Sequence, residues 1–268
     1  MIQLTPAKVV TWLRCERCFQ LNYVDSFNWP REPLDSGAIG AMEKGEVFHM
    51  LVAQFLASSG EFEIKVELLE PDVYAWWSTF LARVPVTTLN SDSVQVETSF
   101  EVILNSTVKL FGRIDCLKVG AKTIEIFDWK TGKPKSRSDL MTDWQTRLYL
   151  ALLAESRSKL GLTDLPLDHI SITYWYSRDP NQSVKISYNK TWHTENWQEI
   201  VTIADQIAKR LNESNDVWPL TNDLTQCAKC AYAPLLGEDS KPHFPDNALS
   251  DDDRMKESSS EIENHPDL

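Results

Sequence analysis

The chain has 268 residues, of which 42% are hydrophobic and 10% aromatic, enough for one large domain or two small ones with a substantial core. This composition excludes collagen-like, coiled-coil and wholly disordered proteins. No stretch approaches the roughly 20 consecutive apolar residues of a membrane-spanning helix, and the N-terminus lacks the charged-then-apolar layout of a secretory signal. We therefore expect a cytoplasmic protein without a membrane partner.

The formal net charge is −12, which at first argues against a nucleic-acid partner. The charge is unevenly placed, because residues 237–268 contain ten acidic and three basic residues and the first 236 residues carry only −5. A mildly acidic body can bind a polyanion through a local basic strip or through bound cations. We expect residues 237–268 to be an acidic disordered tail, which could recruit a protein partner, shield a basic strip or have no role.

The first predicted element in chain order is a helix, with Thr5 at its N-cap position and Pro6 as its first residue. A second, mostly buried helix is predicted over residues 42–56. The apolar period then changes to about two, which is typical of strands. Strands are predicted over residues 94–104, 107–119 and 122–130, with turns at 105–106 and 120–121. We expect these strands to form an antiparallel meander.

Helical spacing returns over residues 142–156 and is followed by two predicted strands, 169–176 and 183–188. The last long helix is predicted over residues 195–211. These elements indicate an α/β (α+β) fold with a central mixed sheet flanked by helices. The chain contains no glycine-rich dinucleotide or P-loop motif, which argues against dinucleotide and P-loop nucleotide binding.

Two acidic residues belong to neighbouring predicted strands. Asp128 and Lys130 are two residues apart and should share the apolar face of their strand. Asp115 is expected to end the preceding strand, and a hairpin through Gly120 would bring it alongside Asp128. Two carboxylates on a buried face repel each other, and a divalent cation would relieve the repulsion. Magnesium prefers oxygen ligands and often takes only one or two carboxylates.

Five cysteines cannot all pair, and in a reducing compartment C-x2-C pairs indicate a metal site or redox chemistry. Cys15 and Cys18 are expected one turn apart on the first helix, and Cys227 and Cys230 in a loop near the C-terminus. Four thiolates suit a tetrahedral zinc ion or a 4Fe-4S cluster, and either would clamp the two ends of the chain together. Cys116 is interpreted as a small buried hydrophobic residue.

Six short motifs occur in one order along the chain: Trp12-Leu13-Arg14-Cys15, Gly45-x3-His49, Gly112-Arg113-Ile114-Asp115, Asp128-x-Lys130-Thr131-Gly132, Gln145-x3-Tyr149 and Cys227-x2-Cys230-x-Tyr232. Together they resemble the PD-(D/E)XK nuclease superfamily, and more narrowly its RecB-like branch, which includes CRISPR-associated and AddB-type exonucleases. The resemblance implies a restriction-endonuclease-like core, with residues 1–236 as a single nuclease domain whose cysteine pairs are joined by a metal centre.

The resemblance also implies roles for individual residues. Asp115, Asp128 and the main-chain carbonyl of Trp129 would bind Mg2+ or Mn2+, with His49 as an additional ligand from the helix. Lys130 would orient or help deprotonate the attacking water and oppose developing negative charge.

Further roles are implied for polar residues outside this set. Gln145 and Tyr149, at i and i+4 on one helix face, would contact substrate or water. Glu97 matches an acidic position of the motif better than Glu101. Related iron-sulfur nucleases place one cysteine near the N-terminus and three near the C-terminus, whereas this chain has two at each end. The resemblance implies a 4Fe-4S cluster, and this departure from the family's cysteine pattern keeps Zn2+ as the alternative.

The expected function is a metal-dependent deoxyribonuclease that hydrolyses phosphodiester bonds, as an exonuclease on DNA ends or single strands in repair, recombination or CRISPR-type processing. Arg113, Lys133, Lys135 and Arg137 would hold the nucleic acid, although the basic run could equally be a solvated turn. Two alternatives remain, a catalytically silent module that binds nucleic acid or protein around a structural metal clamp, and an RNA-directed nuclease.

Overall fold

The computed structural model describes residues 1–27, 36–58, 62, 65–84, 94–179, 181–213, 217–228 and 230–233. The predicted acidic tail, 237–268, lies outside the described residues. The strands are β1 (Ile2–Leu4), β2 (Val94–Ile103), β3 (Val108–Val119), β4 (Ile124–Lys130), β5 (Ile170–Tyr176) and β6 (Val184–Ser187). The helices are α1 (Pro6–Arg14), α2 (Glu16–Phe19), α3 (Ser36–Ala57), α4 (Pro71–Arg83), α5 (Arg137–Thr142), α6 (Trp144–Glu155), α7 (Lys190–Asn212) and α8 (Leu224–Ala228).

Within the described residues, the strands form one six-stranded mixed sheet in the order β1-β3-β4-β5-β6, with β2 also paired to β3. Strands β2, β3 and β4 form the predicted antiparallel meander. Strand β5 runs parallel to β4, and β6 runs antiparallel to β5. The expectation of a central mixed sheet flanked by helices is confirmed, as are the three meander strands, the two later strands and the helix at α6.

Strand β3 is long enough to pair with three other strands. Strand β2 pairs along one edge of β3 between Lys109 and Lys118. Since a strand has two edges, β1 and β4 must share the other, where β1 pairs with residues 108–110 and β4 with residues 116–119. Asp115 lies beside this junction, inside β3. The expectation that Asp115 ends its strand is therefore wrong, because pairing with β4 continues to Val119.

Helices cover both faces of the sheet. Helices α1, α6 and α7 pack on one face and enclose an aliphatic core that includes Val9, Leu152 and Ile203. Helices α3 and α4 pack on the other face around aromatic side chains. The ring centroids of Phe80 and Trp129 lie 5.2 Å apart in an edge-to-face arrangement, which fixes α4 against β4.

The N-terminal helix begins as predicted, since Thr5 accepts a hydrogen bond from the main-chain N–H of Lys8 and Pro6 is the first helical residue. The prediction that Cys15 and Cys18 share this helix is wrong. Cys15 has an extended backbone with φ −167° and ψ 117°, which ends α1 and starts α2. Its sulfur lies 3.5 Å from the amide nitrogen of Cys18 and so caps the second helix.

Strand β1 and helix α4 are among the elements that were not predicted from the sequence. Strand β1 has three residues, too few for an apolar period to be recognised. Helix α4 carries a readable signal, because its buried residues Val73, Trp76, Trp77 and Phe80 are spaced three and four apart after Pro71. Helix α3 also begins earlier than predicted, at Ser36. None of the helices in the described part of the chain combines the length and the apolarity needed to cross a membrane.

Candidate active site

The candidate active site lies at the end of β4, between α3 on one face of the sheet and α6 on the other. Gly45 lets α3 approach the end of β4, since a β-carbon at Gly45 would lie 3.3 Å from Oγ1 of Thr131. Helix α3 carries His49 towards Asp115 of β3. Helix α6 carries Gln145 towards Asp128 and Lys130 of β4.

Asp128, Lys130 and Gln145 form a triangle of polar contacts. The Lys130 Nζ lies 3.0 Å from Oδ1 of Asp128 and donates a hydrogen bond of 2.8 Å to Oε1 of Gln145. Nε2 of Gln145 donates to Oδ2 of Asp128 at 3.0 Å. The Asp128 side chain is only 1% exposed, and among the described groups none donates a directional hydrogen bond to its Oδ1. This buried oxygen retains capacity to bind a further positive group.

Burial and neighbouring charges act against each other on the pKa values of Asp128 and Lys130. Burial raises the pKa of Asp128 to about 6, opposed by the Lys130 ammonium and supported by repulsion from Asp115. Burial alone would lower the pKa of Lys130, but the attraction of Asp128 and Asp115 outweighs it and holds the pKa above its usual value. Lys130 therefore carries a positive charge at neutral pH.

Asp115 contacts α3, the helix that lies on the face of the sheet opposite to α6. Its Oδ2 lies 3.2 Å from Nδ1 of His49 and accepts a hydrogen bond of 3.4 Å from the main-chain N–H of Trp129. Burial would raise the pKa of Asp115, but His49 and Lys130 together hold it below its usual value. For His49 the effects are reversed: burial alone would lower its pKa, but the Asp115 carboxylate raises the pKa above its usual value.

Glu97 and Arg113 lie beside Asp115. Glu97 has φ +49°, an uncommon conformation for a residue with a β-carbon, although the ladder pairs on either side of it are in register. Its Oε2 lies 2.9 Å from Nε of Arg113, whose side chain is 67% exposed. Burial, together with the Asp115 charge, raises the pKa of Glu97. A strained acidic residue therefore adjoins the candidate site, as is common at functional sites.

Gln145 and Tyr149 make different contacts although they lie on one helix face. Gln145 contacts Asp128 and Lys130, whereas the Tyr149 hydroxyl donates a 2.8 Å hydrogen bond to the main-chain carbonyl of Arg113. The absence of a side chain at Gly112 permits this approach, because a β-carbon there would lie 3.0 Å from Tyr149 Cε1. Tyr149 thus fastens α6 to the segment of β3 that leads to Asp115.

The basic residues after β4 largely contact the protein. Lys135 Nζ lies 3.0 Å from Oδ2 of Asp143, and the Arg137 guanidinium donates to the main-chain carbonyl of Lys185. Lys133 is exposed at the same turn. Asp143 was not singled out in the sequence, where it fell inside the helix predicted over residues 142–156; the observed helix begins at Trp144, and an aspartate directly before a helix is a usable N-cap signal.

The four paired cysteines, two from each end of the chain, lie close together. Cys15, Cys18, Cys227 and Cys230 line one pocket beside Arg14 and Tyr232. Nη2 of Arg14 lies 3.6 Å from the Cys18 sulfur. A hydrogen bond with Cys18 lowers the pKa of the Cys230 thiol to about 6, against the opposing effect of burial. Cys116 is separate from this group and fully buried, and burial raises the pKa of its thiol to about 12.

The donor types fit metals at both places, but the described side chains are not arranged as complete metal sites. Within the described ranges, no group of three or more His, Cys, Asp or Glu side chains is placed to hold a metal ion. At the end of β4, two repelling carboxylates and an oxygen without a directional donor suit a hard divalent cation. At the cysteine pocket, four thiols suit zinc or an iron-sulfur cluster.

Comparisons with known proteins concern the family and the fold of the chain. A family model described as the PD-(D/E)XK nuclease superfamily matches residues 3–235. A crystal structure described as "Putative exonuclease" from Eubacterium rectale is 14% identical, covers 87% of this chain and 84% of its own, and has a TM-score of 0.50. The crystal structure of SSO0001 is 13% identical, with 69% and 81% coverage, but its TM-score of 0.31 is too low to support an argument. These two likenesses concern the fold alone. No curated protein matches the chain.

Proposed function

Because the chain belongs to the PD-(D/E)XK nuclease superfamily, we propose that it is a Mg2+- or Mn2+-dependent deoxyribonuclease that hydrolyses phosphodiester bonds. Membership of a nuclease superfamily implies hydrolase activity. The observation that carries the proposal is the buried Asp128, held by Lys130 and Gln145 at the end of β4 with Asp115 near enough to repel it.

In this proposal Asp115, Asp128, the carbonyl of Trp129 and His49 hold the divalent cation. Such a cation polarises a phosphoryl oxygen and lowers the pKa of bound water. Asp128 and Asp115 supply oxygen donors of the kind that Mg2+ prefers. The contact of 3.2 Å between Oδ2 of Asp115 and Nδ1 of His49 holds both side chains at the site.

Lys130 acts as an ammonium rather than as a base. Its raised pKa keeps the proton on Nζ, so Lys130 can orient water and oppose the negative charge that develops on the phosphate. Gln145 holds the positions of Lys130 and Asp128 through one hydrogen bond from each end of its amide. Preorganised donors of this kind need no rearrangement during the reaction.

The substrate is proposed to be DNA, cleaved as an exonuclease at ends or in single strands in repair, recombination or CRISPR-type processing. Exonuclease action is proposed by analogy with the Eubacterium rectale protein described as "Putative exonuclease", with which the chain shares a fold. Arg113, an exposed cation beside Asp115, is proposed to contact the DNA. Lys133, Lys135 and Arg137, which follow β4 in the chain, are proposed to do the same. If these residues contact the phosphate backbone, affinity should fall as salt increases. The acidic tail is proposed as a site for a protein partner.

Purified protein incubated with end-labelled linear, circular and single-stranded DNA, and with matched RNA, tests the proposal. We expect DNA cleavage in Mg2+ or Mn2+, none in EDTA and none with Asp128→Ala. Cleavage of linear DNA without cleavage of circular DNA would support exonuclease action. Binding without cleavage in either cation would overturn the proposal in favour of a silent binding module, and cleavage of RNA alone would overturn the choice of substrate.

We also propose that the four paired cysteines hold a metal centre, a 4Fe-4S cluster or Zn2+. What supports it is that both pairs line one pocket although about two hundred residues separate them in the chain. An absorption spectrum of anaerobically purified protein, with elemental analysis, separates the alternatives. Absorbance near roughly 400 nm with iron indicates the cluster, and a colourless protein with stoichiometric zinc indicates zinc. Protein that contains neither metal would overturn this proposal.

A further inference from the structure

A single residue, Asp143, joins α5 and α6, the two helices that follow β4. Helix α5 ends at Thr142 and α6 begins at Trp144, so Asp143 is at once the C-cap of one helix and the N-cap of the next. Its main-chain N–H donates to the carbonyl of Asp139 at 3.0 Å. The position at which α6 starts, and therefore the position of every side chain in its first turn, depends on this residue.

Each carboxylate oxygen of Asp143 makes one contact next to the candidate site. Oδ1 accepts a 2.8 Å hydrogen bond from the main-chain N–H of Gln145. Oδ2 lies 3.0 Å from Nζ of Lys135, in the segment that directly follows β4. Lys135 is held at its main chain as well, because its N–H donates to the Tyr176 hydroxyl at 3.2 Å.

These contacts form a closed ring at the end of β4. Starting from Lys130, the chain leads to Lys135, which contacts Asp143; Asp143 contacts Gln145, and Gln145 returns to Lys130. The other end of the Gln145 amide contacts Asp128. A Gln145 side chain that bridges two charged groups at 2.8 and 3.0 Å tolerates little displacement of its main chain.

We propose that Asp143 is a positioning residue for the hydrolysis, acting through Gln145 on Lys130 and Asp128. This inference rests on the proposed nuclease function. Asp143 makes no contact with the substrate in this role. It fixes the first turn of α6 to the segment after β4, so that the two ends of the Gln145 amide meet their partners in a single geometry.

Steady-state kinetics on labelled DNA in Mg2+ test the inference. Asp143→Ala should lower kcat roughly 10- to 100-fold, the scale expected for a displacement of about 1 Å in a catalytic group, with little change in KM. Asp143→Asn should retain clearly more of kcat than Asp143→Ala, because asparagine is an equally good N-cap and keeps an oxygen for the N–H of Gln145, although it loses the charge that attracts Lys135. In a Gln145→Ala background, Asp143→Ala should cause almost no additional loss.

A matched control separates positioning from general loss of stability. Asn189→Ala removes the cap of α7, where Oδ1 accepts from the N–H of Trp192 at 2.9 Å, and should leave kcat per folded molecule unchanged. An equal loss of kcat in Asn189→Ala, a full loss in the Gln145→Ala background, or no rescue by folded Asp143→Asn would each overturn the inference.

A readout without activity keeps this inference distinct from the proposed function. The side-chain amide of Gln145 should show slow hydrogen exchange by NMR in the wild type and in Asp143→Asn, and fast exchange in Asp143→Ala. If the wild type cleaves nothing but these exchange rates follow the prediction, the nuclease proposal fails while the positioning contact stands. Unchanged exchange in Asp143→Ala overturns the positioning role, whatever the activity.

Discussion

The Lys130 ammonium lies 3.0 Å from Oδ1 of Asp128, a carboxylate that is only 1% exposed. Because neither charge can be buried alone without a large cost, each residue holds the other in its charged form. The contact places a fixed positive charge beside a buried carboxylate at the end of a central strand.

Lys130→Met should lower the rate of DNA cleavage by about 10²- to 10³-fold, since it removes a fixed donor that opposes developing charge. It should also lower the free energy of unfolding by roughly 1–3 kcal/mol, because Asp128 loses its cationic partner. Initial rates and urea denaturation measure both effects. Lys109→Met is the matched control, because Lys109 pairs with the exposed Glu101 on another part of the sheet and should leave both quantities near wild type. A Lys130→Met protein of normal activity would refute the assigned role.

Without metal, stability should fall as pH rises through about 6. The folded protein binds the Asp128 proton more tightly than the unfolded chain, because the pKa of Asp128 is raised from 3.8 to about 6. The resulting stabilisation is complete below pH 3.8 and is lost as pH rises through the folded pKa. Asp128→Asn removes this dependence, so its advantage over the wild type should grow from pH 4 to pH 7.

Urea denaturation in EDTA at several pH values measures this advantage. Asp115 acts in the opposite sense, since its lowered pKa contributes stability that is lost only as pH falls below its usual value of 3.8. The comparison is therefore made above pH 4. A constant difference between Asp128→Asn and the wild type across this window would show that Asp128 titrates normally.

Gly112→Ala should destabilise the protein by about 1–3 kcal/mol through overpacking. Its β-carbon would lie 3.0 Å from Leu152 and from Tyr149, which would separate β3 from α6. Gly40→Ala is the control, because nothing lies within 4 Å of its β-carbon position in α3, and alanine should stabilise the helix by roughly 0.5–1 kcal/mol. Thermal denaturation compares the two variants, and similar melting temperatures would contradict the predicted close contact.

Cys230→Ala should lower the melting temperature and the bound metal together, because Cys230 would supply one of four thiolate ligands to the proposed centre. Chelation of wild-type protein should reproduce the same loss of stability. Cys116→Ala is the comparison, since Cys116 is fully buried away from the pocket and its substitution should leave the metal content unchanged. Metal content that is unaffected by Cys230→Ala would contradict the proposed ligand set.

Much of the sheet could be predicted because strand periodicity is a local property. The period of two in β2, β3 and β4, with turns between them, correctly predicted the meander and placed Asp128 and Lys130 on one face. The N-cap at Thr5 was equally local, since cap, proline and helix follow one another in the chain. Cys15 shows the limit of such reasoning, because a helical spacing of three did not reveal the extended residue that ends α1.

The sequence by itself determined which chemical groups are present and how neighbours along each strand and helix are oriented. Only the tertiary structure decided which partners these groups meet: Asp115 meets His49 from 66 positions away, and Tyr149 binds a main-chain carbonyl of β3. The same is true of Lys135, which contacts Asp143. Such contacts depend on how α3 and α6 pack against opposite faces of the sheet, and that packing is decided by buried surfaces far apart in the chain.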